Sequence, residues 1–165
     1  MNALVNLIYT SLATDKFNKC ELDGLLNVCR KNNGRCHLTG LLIFHAGVFI
    51  QWIEGLESDV SLLWEKIKLD DRHDNLVQIE YGPISQRFFP EWWMGYSDPL
   101  TADAFPLSLS ERDINELTHV PSQPWLAVDI LFRQAAFLKN NSRDGATAAG
   151  DLTSTSMDLK IVDRK

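Results

Sequence analysis

Apolar and polar positions alternate with period two at the start of the chain. In residues 3–11, ALVNLIYTS, Val5, Leu7 and Tyr9 fall on one face, the pattern of a strand. After DKFN the period changes. Leu22, Leu25, Leu26 and Cys29 recur at i, i+3, i+4 and i+7, the single apolar stripe of a helix. Asn18 and Glu21 have the spacing of a capping box at its start, and Gly24 inside it costs about 1 kcal/mol against alanine. Asn32-Asn33-Gly34 is expected to close this helix, since these residues tolerate the left-handed conformation. Two strands follow at 38–45 and 47–53, joined at Ala46-Gly47 as a hairpin. A second helix, capped by Ser58 or Asp59, carries Val60, Leu63, Trp64 and Ile67 on its stripe until DDRHDN breaks it. Residues 76–84 read as a strand, and RFFPEWWMGYS ends in another short extended segment.

The order β-α-β-β-α-β, with a further strand, predicts an α+β fold of the ferredoxin-like plan: an antiparallel sheet with two helices on one face. From Pro99 the character changes. LSERDINELTHV, capped by Ser110, and PWLAVDILFRQAAFLKNN read as a C-terminal two-helix extension. Trp125, Val128, Leu131, Phe132 and Phe137 give the second helix apolar surface that must dock, with the bare sheet face as the expected place. The small, polar, aperiodic residues from 141 predict a disordered tail. The expected division is a domain at 1–98, a helical extension at 99–140 packing on the sheet, and a tail at 141–165.

Within GVFIQWIEG the alternation holds a polar exception. Phe49, Gln51 and Ile53 point one way and Val48, Ile50 and Trp52 the other, and both faces read as buried. A buried primary amide has two donor hydrogens and a carbonyl to satisfy, and one left unmet costs roughly 1–3 kcal/mol. Gln51 therefore needs partners.

Composition narrows the function. The chain has 165 residues, 45% hydrophobic and 23% charged, enough for one cored domain with an appendage. A net charge of −6 argues against nucleic acid and against an anionic membrane surface. The N-terminus has no basic region, and no apolar run approaches about 18 residues, so neither a signal peptide nor a membrane span is expected. Cys20, Cys29 and Cys36 show no C-x-x-C and no histidine at zinc spacing. They read as reduced thiols of a cytoplasmic protein.

Tyr9 alone reads as a core tyrosine. With Gln51 on the matching face of a neighbouring strand, a second reading opens, in which phenol and amide bond each other and something held between the helices. Asn32 and Asn33 read as a helix end, or as carboxamides for the amide edge of a heterocycle. Arg72 and His73 read as solvated charges at a helix end, or as a grip on a phosphate or ribityl chain, because an arginine fork matches phosphate oxygens. Asp70, Asp71, His73 and Asp74 fit no standard metal-ligand spacing, so no metal is expected. Trp92-Trp93-Met94 reads as core, or as a switch in which methionine repacks easily. His37 and His45 are isolated. No nucleophile–base set, phosphate loop or carboxylate pair stands out, so no enzyme is expected. TSLATDKFN lacks the arginine an acylphosphatase loop needs, and RNA binding conflicts with the acidic charge.

Taken together, LIYTS, RKNNGRCHLTGLLIF, VFIQWIEG, IKLDDRH and RFFPEWWMG resemble the BLUF family, the blue-light sensors using flavin adenine dinucleotide (FAD), across about residues 3–97. The resemblance implies non-covalent FAD between the two helices, with Leu25 and Ile67 flanking the ring. Asn32 and Asn33 would bond its pyrimidine end, and Lys66, Asp70, Arg72 and His73 would line the route to the ribityl-phosphate portion. Tyr9 would donate to Gln51, and Gln51 to the flavin. Light-driven electron and proton transfer from Tyr9 would rearrange Gln51, and the signal would pass through Trp92 and Met94 to the helices after Pro99. The partner implied is a separate signalling or regulatory protein, with self-association into a homo-oligomer. The alternative is a light-insensitive interaction scaffold on the same fold. His37 stands where a glycine is common in the family, and Trp93 where a small residue is.

Overall fold

The computed structural model describes residues 3–17, 20, 22–92, 94–97, 110–119 and 125–141. The elements are β1 (Leu4–Ala13), α1 (Leu22–Arg35), β2 (Thr39–His45), β3 (Val48–Leu56), α2 (Glu57–Lys68), β4 (His73–Pro83), β5 (Gly95–Ser97), α3 (Glu111–Thr118) and α4 (Trp125–Asn141). The sheet runs β4-β1-β3-β2-β5. Its first four strands are antiparallel, as the ferredoxin-like plan requires, while β5 joins β2 in parallel.

Period-two patterning splits the core by face. Toward α1 and α2, Val5, Leu7, Tyr9 and Ile53 pack with Val60, Leu63, Trp64 and Ile67. Beside them Leu42 and Phe49 pack with Leu22 and Leu26. On the opposite face Ile8, Leu41, Ile43, Val48, Ile50 and Trp52 meet Leu117, Ala127, Ile130, Leu131 and Ala135 of α3 and α4. The Thr10 hydroxyl donates to the Leu117 carbonyl, tying α3 to β1. Three layers result, with the sheet buried on both sides.

Several boundaries differ from the sequence pattern for physical reasons. α2 begins at Glu57 behind Leu56, with no side-chain cap, so neither Ser58 nor Asp59 caps it. Chain geometry supplies the start instead: β3 runs straight into α2, and the Glu57 amide donates to the Ala3 carbonyl. α1 continues through Asn32-Asn33-Gly34 to Arg35, and the left-handed residue is His37 (φ 52°). β4 starts at His73 rather than 76, because an edge strand tolerates polar residues and its first part pairs with the end of β1 across a bulge. The hairpin at Ala46-Gly47 has positive φ at both residues (50° and 81°), as a two-residue turn of this hand needs. Ser110 caps α3 in a capping box with Asp113. The Asn18–Glu21 cap and the tail from 142 lie outside the described residues. Among those described, no helix is long and apolar enough to cross a membrane.

Candidate functional site

Antiparallel pairing sets Tyr9 directly opposite Gln51, and Gln51 directly opposite Leu42. All three side chains leave the sheet on the side of α1 and α2, where a cavity of about 250 Å³ opens. Val28, Cys29, Asn32 and Asn33 of α1 and Leu63, Lys66 and Ile67 of α2 form its sides. Phe17, Phe49 and Met94 complete the apolar lining, and Asp70, Arg72 and His73 border it.

The Tyr9 hydroxyl donates to Oε1 of Gln51, both side chains being buried. Gln51 Nε2 then points at Met94 Sδ, 3.3 Å away. A thioether is a weak acceptor, so Gln51 holds one strong bond and one weak one. Burial pushes the Tyr9 phenol far up from its ordinary value, with Cys29 and Asp70 adding to it, so the proton it donates is firmly held. Trp64 lies against the Tyr9 ring at 5.0 Å between centroids.

At the border, Asp70 accepts from Arg72 Nε at 2.8 Å and also from Nη2. That hydrogen bonding holds the Asp70 carboxyl below the usual carboxylate range and raises Arg72. The Arg72 fork is thus already engaged by a carboxylate. His73 Nδ1 sits 2.8 Å from the Ser11 hydroxyl, and burial lowers the imidazole pKa. Burial likewise pushes the Cys29 thiol up.

The structure brings Tyr9, Asn32, Asn33, Gln51, Lys66, Ile67, Asp70, Arg72, His73 and Met94 to one cavity. Asn33 is buried and Asn32 exposed. Trp92 is not among them. Its ring stacks on Phe89 at 5.3 Å with Lys139 of α4 above it, and it packs with the cluster on the α3–α4 side of the sheet. Trp93 and the Leu25 side chain lie outside the described residues. Among the described residues, no three His, Cys, Asp or Glu gather as metal ligands.

Sequence reading missed Phe17, Val28, Cys29, Leu42, Phe49 and Leu63 as lining residues. Phe49 shares the period-two face of Gln51. Leu63 stands one turn before Ile67, and Val28 and Cys29 one turn before Asn32 and Asn33, so these four were within reach of periodicity. Leu42 needed the β2–β3 register. Phe17 precedes α1 and reaches the site by packing tilted against Phe44 and edge-on against Phe49, at 4.9 and 5.0 Å between centroids, for which the sequence carries no signal.

These residues fit a flavin. The cavity lies just under the roughly 300–1,000 Å³ of common small-molecule sites, enough for a planar ring but not a whole dinucleotide. Two apolar helix flanks suit a flat heterocycle, and the weakly bonded Gln51 amide suits its polar edge. Carboxamides and cations together at the border suit an imide and an anionic tail.

The sequence model described as sensors of blue light using FAD, BLUF, matches residues 4–95. Photoactivated adenylate cyclase subunit beta of Euglena longa is 30% identical over 128 residues, covering 73% of this chain and 15% of that protein. The blue light- and temperature-regulated antirepressor BluF of Escherichia coli K12 is 30% identical over 112 residues, covering 67% of this chain and 25% of that protein. The chain therefore spans a quarter or less of these two relatives' lengths. The dark-state structure of BlrB, a BLUF protein, matches in fold with a TM-score of 0.58 at 23% identity, covering 88% of this chain and 99% of that one. The chain belongs to the BLUF family, sensors of blue light whose cofactor is FAD.

Proposed function

We propose that this chain is a blue-light photoreceptor that holds FAD non-covalently between α1 and α2 and converts its excitation into a rearrangement of Gln51. The observation carrying this reading is the hydrogen-bond series from Tyr9 through Gln51 to Met94 along one cavity. Asn32 and Asn33 would bind the ring's amide edge, Ile67 and Leu25 would flank it, and Lys66, Asp70, Arg72 and His73 would meet the ribityl-phosphate portion.

When bound and excited, the flavin supplies a strong one-electron oxidant. Tyr9 is the residue suited to answer it. A phenol that loses an electron becomes strongly acidic, and the Tyr9 proton already points at Gln51 Oε1, so it moves to the amide. The electron and a proton both return to Tyr9: the proton coming back from Oε1 leaves the amide rotated, and one drawn from Nε2 instead leaves it as the imidic tautomer. Rotation gives up the bond from Tyr9 at Oε1 as well as the one at Nε2, but the bond at Nε2 is only to a thioether, and the rotated amide would have a new partner in a bound flavin. Two hydrogen-bonded arrangements of one amide are what a small bias can switch.

The signal would leave through the Trp92–Met94 segment toward the helices after Pro99. On this reading residues 1–98 sense and 99–140 relay, in a cytoplasmic, self-associating protein that acts on a separate regulatory partner and is not itself an enzyme. Support comes from the relatives' names, which join light to a cyclase and to an antirepressor.

Absorption spectra in the dark and under blue light test this. The wild-type protein should be yellow, with a flavin band that moves reversibly to the red. Tyr9→Phe and Gln51→Ala should keep the flavin and lose the shift. A normal shift in Gln51→Ala would sink the switch. A colourless protein, after FAD has been supplied, would leave the light-insensitive scaffold as the better reading.

A further inference from the structure

Met94 is held from two directions. Its side chain, 3% exposed, packs with Leu22 and Leu26 of α1 and with Leu42 and Phe49 of the sheet. Its backbone carbonyl accepts a hydrogen bond of 3.1 Å from Nε of Arg30. Arg30 follows Cys29 on α1 and stands two and three residues before Asn32 and Asn33, and Cys29, Asn32 and Asn33 are all cavity residues. β5, which begins at the next residue, is held to β2 over three residue pairs. So short a strand grips weakly, and a charge-assisted hydrogen bond is about twice as strong as a neutral one.

We infer that Arg30 is a positioning residue that ties α1 to Met94, so that the thioether stays against Gln51 while α1 holds its ligand-gripping position. The inference rests on the reading that the cavity takes the flavin ring. Two consequences follow from linkage. Ligand that settles α1 also settles Met94, and loss of Met94's hold weakens ligand binding by the same factor. Arg30 itself lies on the exposed side of α1. Alanine there costs the helix nothing in propensity, so the fold survives the test.

The chain has three methionines, Met1, Met94 and Met157, so methyl-labelled protein gives a spectrum simple enough to follow one residue. In flavin-free protein, with Met94 assigned through Met94→Leu, Arg30→Ala should move and broaden the Met94 methyl signal and leave the other two in place. The same variant should raise the Kd for FAD about fivefold, the scale of one such hydrogen bond. Arg30→Lys, still a cationic donor, should restore most of both. In a Met94→Ala background, which keeps the backbone carbonyl but has no thioether to position, Arg30→Ala should cost less affinity than in the wild type, because the part of the loss that runs through the thioether is gone. An unmoved Met94 signal overturns the inference, as does an affinity loss as large without the Met94 side chain as with it. Wild-type protein that takes up no FAD overturns the functional reading and the coupling with it. It is told apart by the missing flavin spectrum before any variant is compared.

Discussion

At the scale of single residues, burial sets what Tyr9 can do. A phenol in water loses its proton near pH 10. Here burial, reinforced by Cys29 and Asp70, holds the proton far above that, so the donor to Gln51 is present at every pH where the fold survives. The sign for stability follows. Above about pH 10 the unfolded chain releases the Tyr9 proton and the native chain does not, so rising pH favours unfolding. Below that, Tyr9 contributes no pH dependence. Denaturant midpoints taken from about pH 8 to about pH 11 should fall for the wild type at the alkaline end, and fall less for Tyr9→Phe. Equal falls would mean that the phenol is not shielded. Tyr9 and Gln51 were legible because strand alternation put a phenol and an amide on inward faces. Trp92 and Met94 were not so easily separated. They share parity, but Trp92 precedes β5, and its carbonyl accepts from the Gly40 amide at 2.8 Å. The chain turns there, sending Met94 to the cavity and Trp92 to the other face, a separation no periodicity announces.

Between elements, the connection from β4 to β5 is anchored by a buried acid. Glu54 of β3 is fully buried. Its carboxyl accepts from the Phe89 amide at 2.6 Å, the Phe88 amide at 2.9 Å and the Thr39 hydroxyl at 3.0 Å. Arg87 closes the group by donating to the carbonyls of Glu54 and His37 and to the Thr39 hydroxyl. Phe88 and Phe89, so fixed, pack on Trp52 at 4.9 and 5.5 Å. Glu54→Gln replaces one accepting oxygen by an NH2 group that faces a backbone N–H or the Thr39 hydroxyl. The expected cost is about 1–3 kcal/mol, seen as a lower urea midpoint at an unchanged m-value. An unaltered midpoint would show the carboxyl to be dispensable. The element order was readable from alternation and helical stripes, because each is written within a dozen neighbouring residues. Glu54's backbone partners lie 34 and 35 residues further along the chain, and Thr39 15 residues before it, so the sequence offered only an acid in an apolar strand. The start of α2 escaped for the opposite reason: its two candidate caps were present, and the chain used neither.

Across the whole molecule, one sheet carries two separate tasks on its two faces. The cavity lies toward α1 and α2, while α3 and α4 cover Ile8, Leu41, Ile43, Ile50 and Trp52 behind it. Consecutive residues of β3 face both, Gln51 forward and Trp52 backward, so on the proposed reading a disturbance of Gln51 would have a single backbone to cross to the C-terminal layer. Relay through that layer requires α4 to loosen without unfolding the sheet. The contacts allow it: α4 meets the strands through side chains, among them Trp52 against Phe132 at 5.6 Å, and takes no part in the strand ladder. Leu131, fully buried on α4, tests the point. Leu131→Ala should cost about 2–5 kcal/mol, and if α4 opens as its own unit the loss falls on α4 alone. Hydrogen exchange of the α4 amides should then quicken roughly thirtyfold or more, while β1 and β3 amides keep their protection and FAD still binds. Protection lost equally from β1 and β3 would make α4 part of one cooperative block with the sheet. The signal would then have to leave by β5 itself, without release of the helix that covers Trp52.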